Sequence, residues 1–218
     1  MPEKQHSFVS LIFLLTVTFF FVVASYNFLD KPIAWFVHTH HLRQLTVLRI
    51  CADYPRTILQ AFFFLCFFYI FVKSTLYPLR AVDRTLLGGA ITAAVALFIK
   101  NNLKIIFGRY WPVTYICNNP SLIDNHAYGF HFFTKGPAYQ SFPSGHSLFI
   151  AALASYFWHT YPRYRWLYLI LVVMTVLGLL GMNYHFLSDI VAGIVMGYVI
   201  GKYMYVLLKR ITYHPKHQ

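Results

Sequence analysis

Six runs of apolar residues, each close to the length that crosses a lipid bilayer, constrain this chain more than any other feature of its sequence. A hydrocarbon core ~30 Å thick needs about 20 apolar residues in a helix. The runs fall at residues 7–28, 57–77, 86–107, 144–161, 166–184 and 189–208. The expected fold class is therefore all-α, a polytopic membrane helical bundle with about six transmembrane helices, forming a single domain over residues 1–218. Composition agrees: 58% of residues are hydrophobic and 11% charged, where a soluble domain carries about a quarter charged. The first run is too long for an ordinary signal-peptide core and is preceded by little positive charge (Lys4), so it reads as a retained helix.

Two longer connections interrupt the runs. Residues 30–56 mix apolar and basic residues, among them Ile33, Trp35, Phe36, His40, His41 and Arg43, and are expected to lie in the interface as an amphipathic segment. Residues 108–143 are rich in Gly, Pro, Asn and aromatics. A loop of that length is often functional. The basic residues orient the bundle. Lys4, Lys73, Arg80, Arg84, Arg163, Arg165, Lys209, Arg210 and Lys216 fall in short loops and tails on one side. Lys31, Arg43, Arg49, Arg56, Lys104, Arg109 and Lys135 spread over the two long loops of the other side. The compact set marks the cytoplasmic face, with both termini, and leaves the 108–143 loop extracytoplasmic. The net charge of +12 thus belongs to membrane anchoring, and no nucleic-acid partner is expected. Cys51, Cys66 and Cys117 show no metal-ligand spacing and read as three thiols, with a Cys51–Cys117 pairing left open. Gly193, Gly197 and Gly201 recur every four residues along the last run, a face on which another helix can pack closely. Nothing in the sequence sets an oligomeric state.

Polar residues that look out of place gather at three points, and all three lie at run ends on the extracytoplasmic side. Pro143-Ser144-Gly145-His146 opens the fourth run. Backbone N–H groups at a helix start favour an anion, Gly145 lets a phosphate approach the backbone, Ser144 adds a hydroxyl and His146 can donate a proton. His185 and Asp189 are four residues apart, on one face of a continuous helix or, if Ser188 caps the last helix, within reach across its first turn. The carboxylate then fixes the imidazole tautomer and leaves the other ring nitrogen free to attack. Lys104 and Arg109 bring positive charge to the same level, the arginine able to hold phosphate oxygens two at a time. Singly, each group has a plain structural role: a turn, a helix-junction pair, two interfacial anchors. Together they compose a site for phosphoryl transfer through histidine.

The sequence resembles the type-2 phosphatidic acid phosphatase family, the lipid phosphate phosphatases that share a fold with vanadium haloperoxidases. That family has three ordered signatures: Lys, six residues, Arg-Pro; Pro-Ser-Gly-His; and Ser-Arg, five residues, His, three residues, Asp. Their order and the six-helix layout match over about residues 57–208. The second signature is complete at Pro143 to His146, and the third keeps His185 and Asp189. The first keeps Lys104 and Pro112 but has Trp111 at the arginine position, with Arg109 two residues earlier. The Ser-Arg pair of the third is Gly178-Leu179. The resemblance implies His185 as nucleophile, Asp189 as its orienting partner, His146 as proton donor to the leaving group, and no metal or other cofactor. Lys104, Arg109, Ser144, Gly145 and Asn183 are then the expected phosphate-binding groups, Arg109 taking over from the displaced arginine and Asn183 serving as a substitute donor. The expected function is an integral membrane phosphatase acting on a lipid-linked phosphomonoester or pyrophosphate, in a bacterial inner (plasma) membrane with an extracytoplasmic site. The alternatives are a phosphotransferase that uses the same intermediate, or an inactive relative with a binding or transport role.

Overall fold

The apolar runs are helices in the computed structural model, which describes residues 2–114 and 118–212, with side chains for 9–114 and 118–209. Cys117, and the side chains of Lys4, Arg210 and Lys216, lie outside the described residues. In chain order the helices are α1 (Pro2–Phe28), α2 (Asp30–Thr39), α3 (Thr46–Leu76), α4 (Ala81–Phe107), α5 (Leu122–Asn125), α6 (Gly145–Thr160), α7 (Arg165–Gly181) and α8 (Leu187–Thr212). Five stretches are long and apolar enough to cross a membrane: Val9–Phe28, Thr46–Leu76, Ala81–Phe107, Pro162–Gly181 and Leu187–Lys209. The sixth run is α6, which has 16 residues and reaches only ~24 Å. Its shortness fits its place. It is buried along most of its length between α4, α7 and α8, so protein rather than lipid surrounds most of it. The outer helices show the reverse pattern, with Phe13, Phe20, Phe64, Phe68 and Trp166 turned outward as a lipid-facing surface.

The segment 30–56 departs from its expected form. Residues 30–39 do form a short helix that buries Asp30, Ala34 and Val37 and exposes Phe36. Residues 46–56, however, belong to α3, which starts at Thr46 rather than at 57. Arg49, Asp53, Pro55 and Arg56 lower the hydropathy of this stretch without ending the helix. A proline removes one backbone donor but leaves its neighbours free to bond, and Thr57 Oγ1 donates to the Asp53 carbonyl at 2.9 Å across it.

The glycine stripe sets the closest packing in the bundle. A Cβ on Gly193 would lie 2.3 Å from Ser147 Oγ, one on Gly197 2.3 Å from the Leu148 carbonyl, and one on Gly201 2.2 Å from the Ala152 carbonyl. Only glycine permits α8 to lie this close to α6. At the upper end of the pair, the Ser144 N–H donates to the Asp189 carbonyl at 3.0 Å. The 108–143 loop folds back over this end of the bundle, with Arg109 paired to Phe130 and Gln140 and Trp111 to Ser121 in isolated bridges. Leu122 and Ile123 of α5 pack with Ala34 of α2 and Phe186, which ties loop, α2 and the α7–α8 turn together.

Candidate active site

One end of the bundle holds the last turn of α4, the first turns of α6 and α8, the α7–α8 turn and the early part of α3. His185 sits in that turn, 3% exposed. The chain reverses there through Asn183 in the left-handed region (φ 52°), with the Tyr184 N–H bonded back to the Leu179 carbonyl at 3.0 Å. Burial pushes the His185 imidazole below its ordinary value, in spite of Asp189, so the ring is neutral at pH 7. Its Nδ1 faces Asp189 Oδ2 at 3.7 Å. That separation exceeds a hydrogen bond, and Nδ1 has no hydrogen-bond partner among the described residues.

Asp189 itself is heavily bonded. Its Oδ2 accepts from Ser141 Oγ at 2.6 Å and from the Phe186 N–H at 3.1 Å, and its Oδ1 accepts from Arg109 Nη1. Arg109 is fully buried. Its Nη2 also donates to Asp30 Oδ2 at 2.7 Å and to the Tyr128 hydroxyl at 3.1 Å, while Nη1 reaches Ser188 Oγ at 2.7 Å. Asp30 accepts the Ser188 N–H at 3.0 Å and the Ser188 hydroxyl. The rings of Tyr26, Tyr128, Phe130 and Phe186 enclose the guanidinium, its Cζ lying 4.4–5.3 Å from their centroids.

On the other side of His185 stands His146, half-buried at the start of α6, its ring 6.2 Å from that of His185. Arg56 of α3 donates from Nη1 to His146 Nε2 at 3.0 Å. Lys100 and Lys104 of α4 also lie within electrostatic reach of His146. Lys100 passes over the first residue of α6, where a Cβ on Gly145 would meet its Cδ at 2.5 Å. The Lys104 ammonium lies 5.0 Å above the Trp111 ring and donates to the Gln140 carbonyl. Trp111 in turn stands beside His185 with ring centroids 5.2 Å apart. Two histidines thus face a cluster of three cations.

The PAP2 superfamily profile matches residues 85–213 of this chain, more than half of its length. The chain belongs to the PAP2 superfamily. Among proteins of curated function, none matches it in sequence. A solved structure that resembles it is that of a transmembrane PAP2-type phosphatidylglycerolphosphate phosphatase from Bacillus subtilis, at 13% identity over 95% of this chain and 98% of that one, with a TM-score of 0.49.

Set against the PAP2 signatures, the structure brings His146, His185, Asp189, Lys104 and Gly145 to one place. Ser144 is there too, but its hydroxyl caps α6 by accepting from the Ser147 N–H at 3.4 Å. Two expected phosphate-binding groups lie elsewhere. Arg109 was expected to face the phosphate; instead its guanidinium is held beneath Asp189 by two carboxylates, because a buried cation must be paired. Asn183 spends its amide donor on the Ala34 carbonyl at 2.9 Å, fastening α2 to the α7–α8 turn. Arg56, Lys100 and Asp30 were not expected here. Arg56 lay in a stretch read as interfacial, and Asp30 meets Arg109 only across 79 residues of sequence. The scarcity of acids was the available signal for Asp30: among six in the chain, one at a membrane helix end needs a partner.

Proposed function

We propose that this PAP2 protein is an integral membrane phosphatase that removes the terminal phosphate of a lipid-linked monoester or pyrophosphate through a phosphohistidine on His185. The observation that carries the reading is the juxtaposition of a buried, neutral His185 backed by Asp189 with His146 and three cations, Arg56, Lys100 and Lys104. A transferring phosphoryl group spreads negative charge over its equatorial oxygens, and preorganised cations lower that barrier. Three of them suit a terminal phosphate with two or more charges better than a singly charged diester.

The His185 nitrogen remote from Asp189 attacks phosphorus. The bond to the leaving oxygen breaks with its electron pair on that oxygen, and His146 supplies the proton. Asp189 stabilises the charge that develops on the ring. Water, deprotonated by His146, then attacks the phosphohistidine; the P–N bond breaks, and inorganic phosphate leaves with His185 restored. The surrounding bilayer supplies a lipid substrate, the 108–143 loop borders the entrance, and the charge pattern favours cytoplasmic termini with the site on the extracytoplasmic side of an inner membrane. The test is phosphate release by the purified full-length chain in detergent from a panel of lipid phosphates, phosphatidylglycerophosphate and a polyprenyl pyrophosphate included, beside His185→Ala. Release by the parent, loss in the variant, and an acid-labile radiolabelled phosphoenzyme in the parent alone are expected. Near-parental release by His185→Ala would falsify the phosphohistidine route.

A further inference from the structure

We infer that Arg56 is the guanidinium that grips the transferring phosphoryl group, and that by moving onto the phosphate it releases His146 to act as the acid; this rests on the function proposed above. The packing of α3 on α7 makes the assignment specific. At the positions where the third signature carries Ser-Arg, α7 holds Gly178 and Leu179. A Cβ on Gly178 would come within 2.4 Å of the Ala52 backbone nitrogen, and Leu179 is fully buried in one cluster with Ala52. The α7 wall is therefore closed flush against α3, with no space for a guanidinium there. Ala52 and Arg56 are four residues apart, so they share a face of α3. The face that seals α7 thus carries an arginine into the site one turn further on. Trp111 occupies the other position at which a signature calls for arginine, and its indole N–H is bonded to the Pro137 carbonyl at 2.7 Å.

The hydrogen bond from Arg56 to His146 carries the second half of the inference. A guanidinium only donates, so His146 Nε2 is the acceptor and carries no proton while the bond at 3.0 Å persists. A phosphate oxyanion is a stronger acceptor for a guanidinium than a neutral imidazole, because both partners are then charged. A phosphate arriving between the histidines draws Arg56 off Nε2 and leaves that nitrogen free to take up, from the P–O–H of the monoanionic phosphate, the proton it must later donate to the leaving oxygen. Arg56 also differs from an interfacial anchor in its setting: it is half-buried and braced by Gln60 Oε1 at 3.3 Å from Nε, whereas Arg49, two turns earlier on α3, is exposed.

The experiment uses the full-length chain in detergent, with Arg56→Ala, Arg56→Lys and, as a matched cation on the same helix, Arg49→Ala. Phosphate release from a lipid monoester should fall ~100-fold or more in Arg56→Ala, the scale set by deleting one transition-state donor. It should recover in part in Arg56→Lys and stay parental in Arg49→Ala. Added guanidinium ion should restore part of the loss in Arg56→Ala without activating the parent, a response that a purely structural arginine would not give. Calorimetric binding of inorganic phosphate should weaken about tenfold in Arg56→Ala, the loss expected of one charge-assisted contact. Equal phosphate affinity in parent and Arg56→Ala, or parental turnover by that variant, overturns the inference. A parent that releases no phosphate from any substrate overturns the proposed function instead, and the phosphate-binding comparison still decides the place of Arg56.

Discussion

The two sides of His185 hold their charges in opposite ways. Beneath it, Arg109 is fully buried and ion-paired to both Asp30 and Asp189 within the protein. Above it, Arg56, Lys100 and Lys104 gather around His146, Arg56 donating to its Nε2 and Lys104 to the Gln140 carbonyl. A densely bonded network resists change and holds one geometry. A concentration of like charge raises the local concentration of anions. Arginines on both sides have the chemistry for the same task. Burial and partners, and not residue type, separate Arg109, fully buried between two carboxylates, from Arg56, half-buried beside His146.

The sharpest way to break this contrast is to remove the buried cation. Arg109→Met leaves two buried carboxylates facing each other, and loss of one partner from such a network costs about 3–5 kcal/mol. A large drop in thermal midpoint is expected in detergent, partly restored in the double variant Arg109→Met/Asp30→Asn, because that change removes one of the orphaned charges. If Arg109→Met keeps the parental midpoint and loses only turnover, the two sides are not distinct in kind. His146→Ala should act the other way, with an unchanged midpoint and a loss of roughly 100-fold on an alkyl phosphate, the lower range for general acid catalysis. An activated aryl phosphate should recover much of that loss, and equal losses on both substrates would remove His146 from the acid role.

The smallest effect expected is on pH dependence. Burial depresses the His185 pKa below 6.5, so the nucleophilic neutral form persists as pH falls through that value. The acidic limb of kcat/KM should therefore lie below 6.5. The sign for stability is set by the same shift. Between the depressed folded value and 6.5 the unfolded chain binds the proton and the folded one does not, so stability falls as pH drops into that window. A limb at or above 6.5 would mean that the ring is better solvated than its 3% exposure implies.

Much of this arrangement was legible in sequence for a physical reason. Hydropathy locates helix ends, and Pro143 to His146 and His185 to Asp189 had to stand at the same level because both mark helix starts on one side. The glycine stripe was equally plain, since a four-residue repeat has one meaning on a helix face. Arg56 was hidden because Asp53, Pro55 and Arg56 together pull local hydropathy below that of a span, while the helix continues through them from Thr46. The partners of Arg109 were hidden because chemistry alone cannot tell a guanidinium that awaits an anion from one that already has two. Its partner Asp30 lies beyond two transmembrane segments in sequence, and only the folded chain of α2, α5 and the 108–143 loop brings them together.

The backbone contact between α6 and α8 has a consequence for where harmful substitutions fall. His146 leads one of these helices and His185 immediately precedes the other, so their separation is gauged by main-chain thickness at Gly193, Gly197 and Gly201, far more than by any rotamer. A single added methyl at Gly193 would press on Ser147 Oγ and on the Ser144 carbonyl at 2.3 and 2.6 Å. It would act as a wedge driven beneath the jaws of a calliper. Glycines that carry no functional group thereby set the distance between His146 and His185.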